Sequence, residues 1–449
     1  MTITNFKNLA KNSLRKKALL VVEAGYEAID IEKAVSGRIK LDNNLLVIQR
    51  NAIIYDSARK ITKINLDNFR RIFIIGIGKG SALASVTLAK ILGKRLTGGV
   101  ASDVQNGKCQ MSNVKCLKGT HPLPSQKNVK ATKEIVKLAK GLKKDDLLIS
   151  FICGGGSALL CGSEKEMRYS RTIFKELTKA GVNILELNTV RKHLSEVKGG
   201  NLAKFAYPAT VISLIVSDVL GNDLSMVASG PTVFDKTTKK DAEKILKNYQ
   251  LPITNYQLLE TPKDKKYFKR VKNILFLSNR EPILAMAEKA KKLGLKPKIY
   301  SLKLKGEAKK ALLPMIKKAK QGQALIAGGE TTVKLSKPFG ATQGKGGRNM
   351  EAVLGVLTQL PITNPNHQSQ KNAVFLSVAS DGRDNTEAAG AIGDILTIKK
   401  SQKLKLNPQK FLENHDSFHF FAKTGDLIFA DKKSFNVADL MLVLSLPKE

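Results

Sequence analysis

Three apolar runs in the first half of the chain end in residues suited to holding an anion. The first, RIFIIGIGKGS, closes on Gly76-Ile77-Gly78-Lys79-Gly80-Ser81. Glycines let a backbone approach a phosphate closely, and Lys79 adds a full positive charge. The spacing is not the GxxxxGK[ST] of a Walker A loop. Nor is it a dinucleotide fingerprint, because Ser81 stands at the third glycine position and no acidic residue lies near 20 positions on. A bare glycine turn accounts for the segment about as well. The second run, LLISFI, leads into Gly154-Gly155-Gly156-Ser157. Ordering each glycine costs roughly 1 kcal/mol against alanine, so three together call for a conformational or ligand-contact reason. A phosphate cradle and a tight structural turn both remain open. The third, ATVISLIV, ends in Ser217-Asp218-Val219, followed by Asn222, Asp223 and Ser229-Gly230-Pro231-Thr232. Carboxylates at a strand end can hold a divalent cation or accept a proton. They also cap helices and form turns.

Between the second and third runs lies Asn188-Thr189-Val190-Arg191-Lys192-His193, and then Lys198-Gly199-Gly200. An arginine can clamp a carboxylate or phosphate through two parallel bonds. His193 has no obvious Ser or Asp partner in sequence, and a surface or helix-packing role is expected for it. The second half supplies Gly328-Gly329-Glu330-Thr331-Thr332, Gly344-Lys345-Gly346-Gly347-Arg348-Asn349 and Ser380-Asp381-Gly382-Arg383-Asp384. Carboxylates and Arg348 in one half, with glycine loops and Lys79 in the other, suit phosphoryl transfer. That chemistry consists mostly of positioning and charge neutralisation.

The elements needed to present these residues read as strands alternating with helices, the pattern of an open, mostly parallel α/β sheet. LVVEAGYEAI has helical spacing near the start of the chain, and a second helix is expected around Val47 to Ala58. NVKATKEIVKLAKGL reads as a helix before LLISFI. After a lysine-rich junction at Phe234–Val271, strand–helix units resume at NILFLSN, with a helix interrupted at Pro314. The expected architecture is two α/β domains, 1–240 (Rossmann-like) and 241–449, with mostly parallel sheets facing a cleft.

Composition narrows the class. The 449 residues are 42% hydrophobic and 25% charged, as in ordinary globular proteins. The formal net charge of +38 predicts a positive field that attracts phosphates, nucleic acid or anionic membrane. Lysines are scattered over the chain, aromatics make up only 6%, and Trp is absent. With no nucleic-acid-binding signature, a specific nucleic-acid partner is not expected. Four cysteines without zinc spacing suggest free thiols in a reducing compartment. Glu23 interrupts the apolar run ALLVV, so no signal peptide is expected. The segment 147–162 is too short and glycine-rich to span a bilayer. A cytoplasmic protein without a membrane partner follows.

Taken as an ordered set, GGGSALL, NTVRKHLSEVKGGNLA, SDVLGNDLSMVASGPT, GGETTV, GKGGRNMEAVL and SDGRDNTEAAGA resemble the glycerate 2-kinase family. The resemblance runs from about Ala18 to the C-terminus. It implies an N-terminal glycerate-kinase domain and a C-terminal domain containing a MOFRL region at about 322–443. It further implies transfer of the ATP γ-phosphate to the 2-hydroxyl of D-glycerate, with Mg²⁺ as cofactor; the sequence leaves the oligomeric state open, a homodimer being one option.

By motif, Lys79 and Arg348 would be the charged pair acting on substrate or phosphate, and Gly78, Gly154, Gly155, Gly156 and Ser157 would line the phosphate site. Asp218, Glu330 and Asp381 would bind metal or activate the hydroxyl, with Asp218 and Asp381 also counted as catalytic. Arg191, Lys198, Glu330 and Asn349 would contact glycerate or phosphate. Members of the family also carry the label hydroxypyruvate reductase. The alternatives are therefore a kinase of another small hydroxy acid, a reductase, or an inactive relative. Near the end, the family's Thr-Gly-Pro-Thr-Gly-Thr-Asn-Val-type loop is replaced by residues 429–437, FADKKSFNV. Asn436, Val437 and Asp439 are kept, and Met350 and Leu220 stand where Gln and Pro are usual.

Overall fold

The computed structural model describes residues 1–49, 61–104, 113–251, 257–334, 344–359, 373–431 and 433–445. The chain forms two compact units, Ile31–Ser278 and Met1–Asp30 together with Asn279–Glu449. This division differs from the contiguous split at 240/241 read from the sequence. The opening helix, Ser13–Ala28, buries Val21, Val22, Gly25 and Tyr26. A Cβ on Gly25 would lie 2.9 Å from Met286 Cγ and 3.2 Å from Leu440 Cδ1, and the Tyr26 hydroxyl donates to Ala379 O at 2.9 Å. Tertiary packing thus assigns the first 30 residues to the later half of the chain.

The unit Ile31–Ser278 begins with a small antiparallel sheet, β1 (Ile39–Asp42), β2 (Leu45–Gln49) and β3 (Ile61–Asn65). β2 takes the start of the helix expected at Val47–Ala58. Only Leu46 and Ile48 are buried along it, a period of two that suits a half-covered strand. Residues 50–58 of that expectation lie outside the described residues. The main sheet comprises β4 (Arg71–Ile77), β5 (Gly98–Asp103), β6 (Val114–Lys118), β7 (Asp146–Ile152), β8 (Thr210–Val216) and β9 (Val271–Leu277). Its order is β6-β5-β4-β7-β8-β9 and every pairing is parallel. Counted from β4 this is 3-2-1-4-5-6, the doubly wound order expected of a Rossmann-like domain. β7 is buried at all of its positions, which is why it reads as an uninterrupted apolar run.

The second unit holds β10 (Lys296–Leu304), β11 (Gln323–Gly329), β12 (Ala373–Ala379), β13 (Gly390–Gly393), β14 (Leu427–Ile428) and β15 (Asp439–Ser445), in the order β10-β11-β15-β12-β13-β14. Here the expectation of a mostly parallel sheet does not hold. β10 and β11 are parallel, whereas β15 runs antiparallel to both β11 and β12, and β13 is antiparallel to β12 and β14. The last strand of the chain inserts between two earlier ones, and apolar runs alone carry no information about direction. Pro314 stands in the first turn of the short helix Leu313–Lys318, just after the short helix Ala308–Ala311, so the helix is interrupted where expected.

Candidate active site

In a doubly wound sheet the connections leave in opposite directions at one point, and ligands bind at the carboxyl ends of the strands there. In the unit Ile31–Ser278 that point lies between β4 and β7. Both strands end in the glycine loops singled out by sequence. Cys153 N donates to Ile77 O at 2.8 Å, and Lys79 N donates to Gly154 O at 2.9 Å, so the loops touch. Gly78 has φ +108°, and a Cβ there would lie 2.4 Å from Cys153 O. A glycine is required by both conformation and space. Gly78, Lys79, Gly154, Gly155 and Gly156 are thereby brought together.

Gly156 abuts the loop after β8, where a Cβ would lie 2.5 Å from Ala228 Cβ. Ser157 Oγ is 2.9 Å from Ser229 Oγ, which donates to Asn188 Oδ1 at 2.9 Å. Since Ser229 has one proton, Ser157 is the donor in the first bond. Ala228 and Ser229 adopt φ of +50° and +58°. Such non-glycine conformations cost of order 1–3 kcal/mol each and persist only where the surroundings impose them. The surroundings here are the Lys198-Gly199-Gly200 segment. Gly199 N donates to Ser229 O at 3.0 Å and Gly200 N to Gly230 O at 2.8 Å.

That finding revises the role of Lys198. It is buried and ion-paired with buried Glu166, and its Nζ also donates to Ser195 Oγ at 3.4 Å. Its charge is neutralised inside the fold, where it supports the loop and is not presented to phosphate. Lys198→Met should therefore lower stability by about 3–5 kcal/mol by leaving Glu166 charged and alone, as read from the denaturant midpoint. Lys198→Met with Glu166→Leu should recover most of the loss. His193 is fully buried, with Nδ1 2.8 Å from Leu259 O and Nε2 3.2 Å from Thr237 Oγ1, the packing role expected.

Arg191 differs from its neighbour Lys192, which pairs with Asp235 at 3.2 Å. Among the described residues no carboxylate pairs with Arg191, and its guanidinium carbon lies 5.0 Å from the centre of the Phe174 ring. Burial alone lowers its pKa to about 10. A desolvated cation without a protein counter-charge suits an anionic ligand. Helical spacing puts Arg191 one turn beyond Asn188, which holds Ser229.

Two acidic residues complete this half. Asp218, half-buried after β8, and Asp103, at the end of β5, both act with burial to raise the Cys153 thiol pKa, with burial the largest cause. Asp103 was missed in the sequence, although it ends an apolar run as Asp218 does. It stands where dinucleotide-binding folds keep a ribose-binding carboxylate, 23 positions after Gly80. The acidic residue read as absent from the sequence is thus present, and Ser81 at the third glycine position is what still departs from the fingerprint. Here Asp103 accepts from Ala82 N at 3.1 Å and caps the helix Ser81–Leu92. Also missed was His121, in the exposed loop after β6. A Cβ on Gly155 would lie 3.1 Å from its Cδ2 and 3.2 Å from Lys79 Cγ.

The other unit carries its own cluster. Arg348 opens the helix Arg348–Leu357. Its Nε donates to Asp439 Oδ2 at 2.6 Å, Nη2 to Asp439 Oδ1 at 3.0 Å and Nη1 to Glu330 Oε1 at 2.7 Å. Three of five donor hydrogens are used, which leaves two for a ligand. Asn349 is fully buried. It donates to Asp384 Oδ1 at 3.2 Å and accepts from Ser377 Oγ. It therefore orders Asp384 and does not face substrate as expected. A Cβ on Gly347 would lie 2.2 Å from Asp384 O, so the glycine permits this close approach. Burial, then the neighbouring Asp439, pushes the Asp384 carboxyl up to about 7, against the bond from Met350 N. Burial likewise pushes Asp439 up, opposed by Arg348. Asp381 follows β12, its Oδ1 accepting from Arg383 N at 3.3 Å. It and both other aspartates contribute to a raised Tyr26 phenol pKa, behind burial.

In the altered loop 429–437, the retained Asn436 and Val437 both contact Ser380. Ser380 Oγ accepts from Val437 N at 2.9 Å and lies 3.5 Å from Asn436 Oδ1. Phe435 is fully buried and its N donates to Ile29 O at 2.9 Å. Lys432 lies outside the described residues. Among those described, no three His, Cys, Asp or Glu side chains are grouped to hold a metal ion, and no helix is long and apolar enough to cross a membrane. Cys153 and Cys161 are free and buried, but Cys116 is disulfide-bonded, against the expectation of four free thiols. Cys109 lies outside the described residues.

Comparison with known proteins agrees with these features. Residues 17–259 match a domain of unknown function, DUF4147, and residues 323–439 match the MOFRL family. The D-glycerate 2-kinase of Thermotoga maritima is 30% identical over 96% of this chain and 98% of its own length. The glycerate 2-kinase of Pyrococcus horikoshii is also 30% identical, over 97% of this chain and 98% of its own. The crystal structure of the Thermotoga maritima glycerate kinase superposes with a TM-score of 0.77 at 27% identity, covering 97% of this chain and all of that one (100%). With both domain matches in order and relatives aligned end to end, the chain belongs to the glycerate 2-kinase family.

Proposed function

We propose that this protein transfers the γ-phosphate of ATP to the 2-hydroxyl of D-glycerate, giving 2-phosphoglycerate. The observation that carries the reading is the meeting of the two glycine loops beside Lys79 at the switch point of the parallel sheet. Backbone N–H groups and one lysine there suit the charge spread over a transferring phosphoryl group. Within the other unit, Arg348 is a cation oriented by Asp439 and suited to the same class of anion. Asp439, which holds Arg348 by two parallel bonds, is a residue of this cluster that the sequence did not single out for a role.

Mg²⁺ in kinases is commonly held by one or two carboxylates plus substrate phosphates. Half-buried Asp218, after β8, fits that mode; Glu330 and Asp381 are the candidate carboxylates within the other unit. The ion would neutralise charge on the phosphates. Lys198 and Asn349 act behind the site as supports.

The test is ADP release with ATP, Mg²⁺ and D-glycerate, with L-glycerate and hydroxypyruvate as controls and the product identified by NMR. Glycerate-dependent ADP and phosphate on the 2-oxygen are expected. ADP formed at background rate, or phosphate on the 3-oxygen, overturns the assignment. Oxidation of reduced nicotinamide by hydroxypyruvate would move the protein to the reductase class.

Arg191 is proposed to bind the substrate carboxylate or a phosphate oxygen. Arg191→Ala should raise KM for D-glycerate or ATP by about tenfold or more, as loss of a charge-assisted pair worth about 1.5–3 kcal/mol implies. Separate saturation curves identify which ligand it holds, and an unchanged KM for both removes it from the site.

A further inference from the structure

We propose that His121 is a further catalytic residue, donating a hydrogen bond from its imidazole to the oxygens of the transferring phosphoryl group beside Lys79. The proposal rests on the phosphoryl-transfer reading of this site. His121 and Lys79 both border Gly155. A Cβ there would lie 3.4 Å from His121 Nε2, 3.1 Å from its Cδ2 and 3.2 Å from Lys79 Cγ. Gly155 has φ +77°. A glycine therefore suits the backbone, and it also keeps the space between the two side chains open. An imidazole and a lysine side chain that both border a triple-glycine loop are suited to a group whose charge lies on three equatorial oxygens.

The loop that carries His121 is held as a ligand-contacting loop must be. Fully buried Asn128 accepts from Thr120 N at 2.9 Å and Ser125 Oγ at 3.0 Å, while Thr120 Oγ1 gives its one proton to Leu123 O at 2.8 Å. The Asn128 amide donates to Thr120 O and to Ala158 O, both at 2.8 Å. Ala158 belongs to the short helix Gly156–Leu159 that continues the glycine loop. One buried amide thus fixes the residue before His121 and the turn after Gly155 to each other. Such a hub makes Asn128 a positioning residue, with His121 as the exposed group it aims.

His121→Ala should lower kcat about a hundredfold, the usual loss for one preorganised donor, with KM for D-glycerate within about twofold. ATP should lose about tenfold of its binding preference over ADP, because the contact is to the γ-phosphate. His121→Gln, which keeps an N–H donor, should recover part of both. Asn128→Asp keeps the acceptor oxygens and loses the donors. It should lower kcat, and adding it to His121→Ala should cost nothing further, since each acts through the other.

A kcat for His121→Ala within about twofold of the parent, with the ATP preference unchanged, overturns the proposal. Additive losses in the double variant overturn the positioning role of Asn128. Should the parent protein form no glycerate-dependent ADP while His121→Ala still loses its ATP preference, the substrate assignment fails and the phosphate contact stands.

Discussion

Replacing Lys79 by methionine should lower kcat/KM for ADP formation about a thousandfold, within the range found when a preorganised charge is removed from a transferring phosphoryl group. Methionine keeps the aliphatic stem that lies against Gly155. The backbone bond from residue 79 to Gly154 O also survives, because it comes from the main chain. Fold and loop geometry are therefore preserved, and an unchanged circular dichroism spectrum and melting midpoint should accompany the loss. Lys79→Arg should restore only part of the rate, since a planar guanidinium replaces a compact charge. Retention of more than about a tenth of the parental rate in Lys79→Met would take the lysine out of the chemistry.

Arg348→Met should abolish most activity and also destabilise the fold, and the second effect should depend on pH. Asp439 is fully buried and bound by two parallel bonds from Arg348, with Asp384 as a buried neighbour of the pair. Removing the cation leaves one or both carboxyls charged in an apolar setting, which costs about 3 kcal/mol or more.

The sign follows from linkage. Asp384 has a folded pKa raised to about 7 by burial and by Asp439. It therefore favours folding below its ordinary titration range, and that contribution is lost as pH rises through about 7. Without Arg348 both carboxyls shift further upward. The stability gap between variant and parent should then be widest above neutral pH and should narrow under mild acid, where both groups are protonated. Urea midpoints at about pH 5.5, 7 and 8.5 measure this. A gap that stays constant across that range would show that lost packing, not the buried charge, causes the destabilisation.

Parts of this molecule are legible because they depend on local rules. A strand covered on both faces must be apolar throughout, so β7 and β15 stand out as runs, and glycines directly after β4 and β7 mark their carboxyl ends. Pro314 announces the break between two short helices. The same rules fail where distant segments decide. A helix is expected to begin near Val47, yet the pairing of Leu45–Gln49 with β1 and β3 makes that stretch a strand. β15 is recognisable as a strand, but its antiparallel place between β11 and β12 is set by partners far away in sequence.

The candidate residues divide in the same way. Local signals were enough to read a parallel first sheet, the two glycine loops and the glycerate 2-kinase family, and to nominate Lys79 and Arg348. Backbone geometry, charge type and strand ends all leave local traces. Only tertiary structure decided that Lys198 is neutralised by Glu166, that Asn349 supports Asp384, that Asp439 orients Arg348 and that Asn128 carries His121 to Gly155. Each of those outcomes depends on which side chain meets which across tens of residues. Burial and a counter-charge convert a lysine from a ligand into a support, and neither is written in the residue itself.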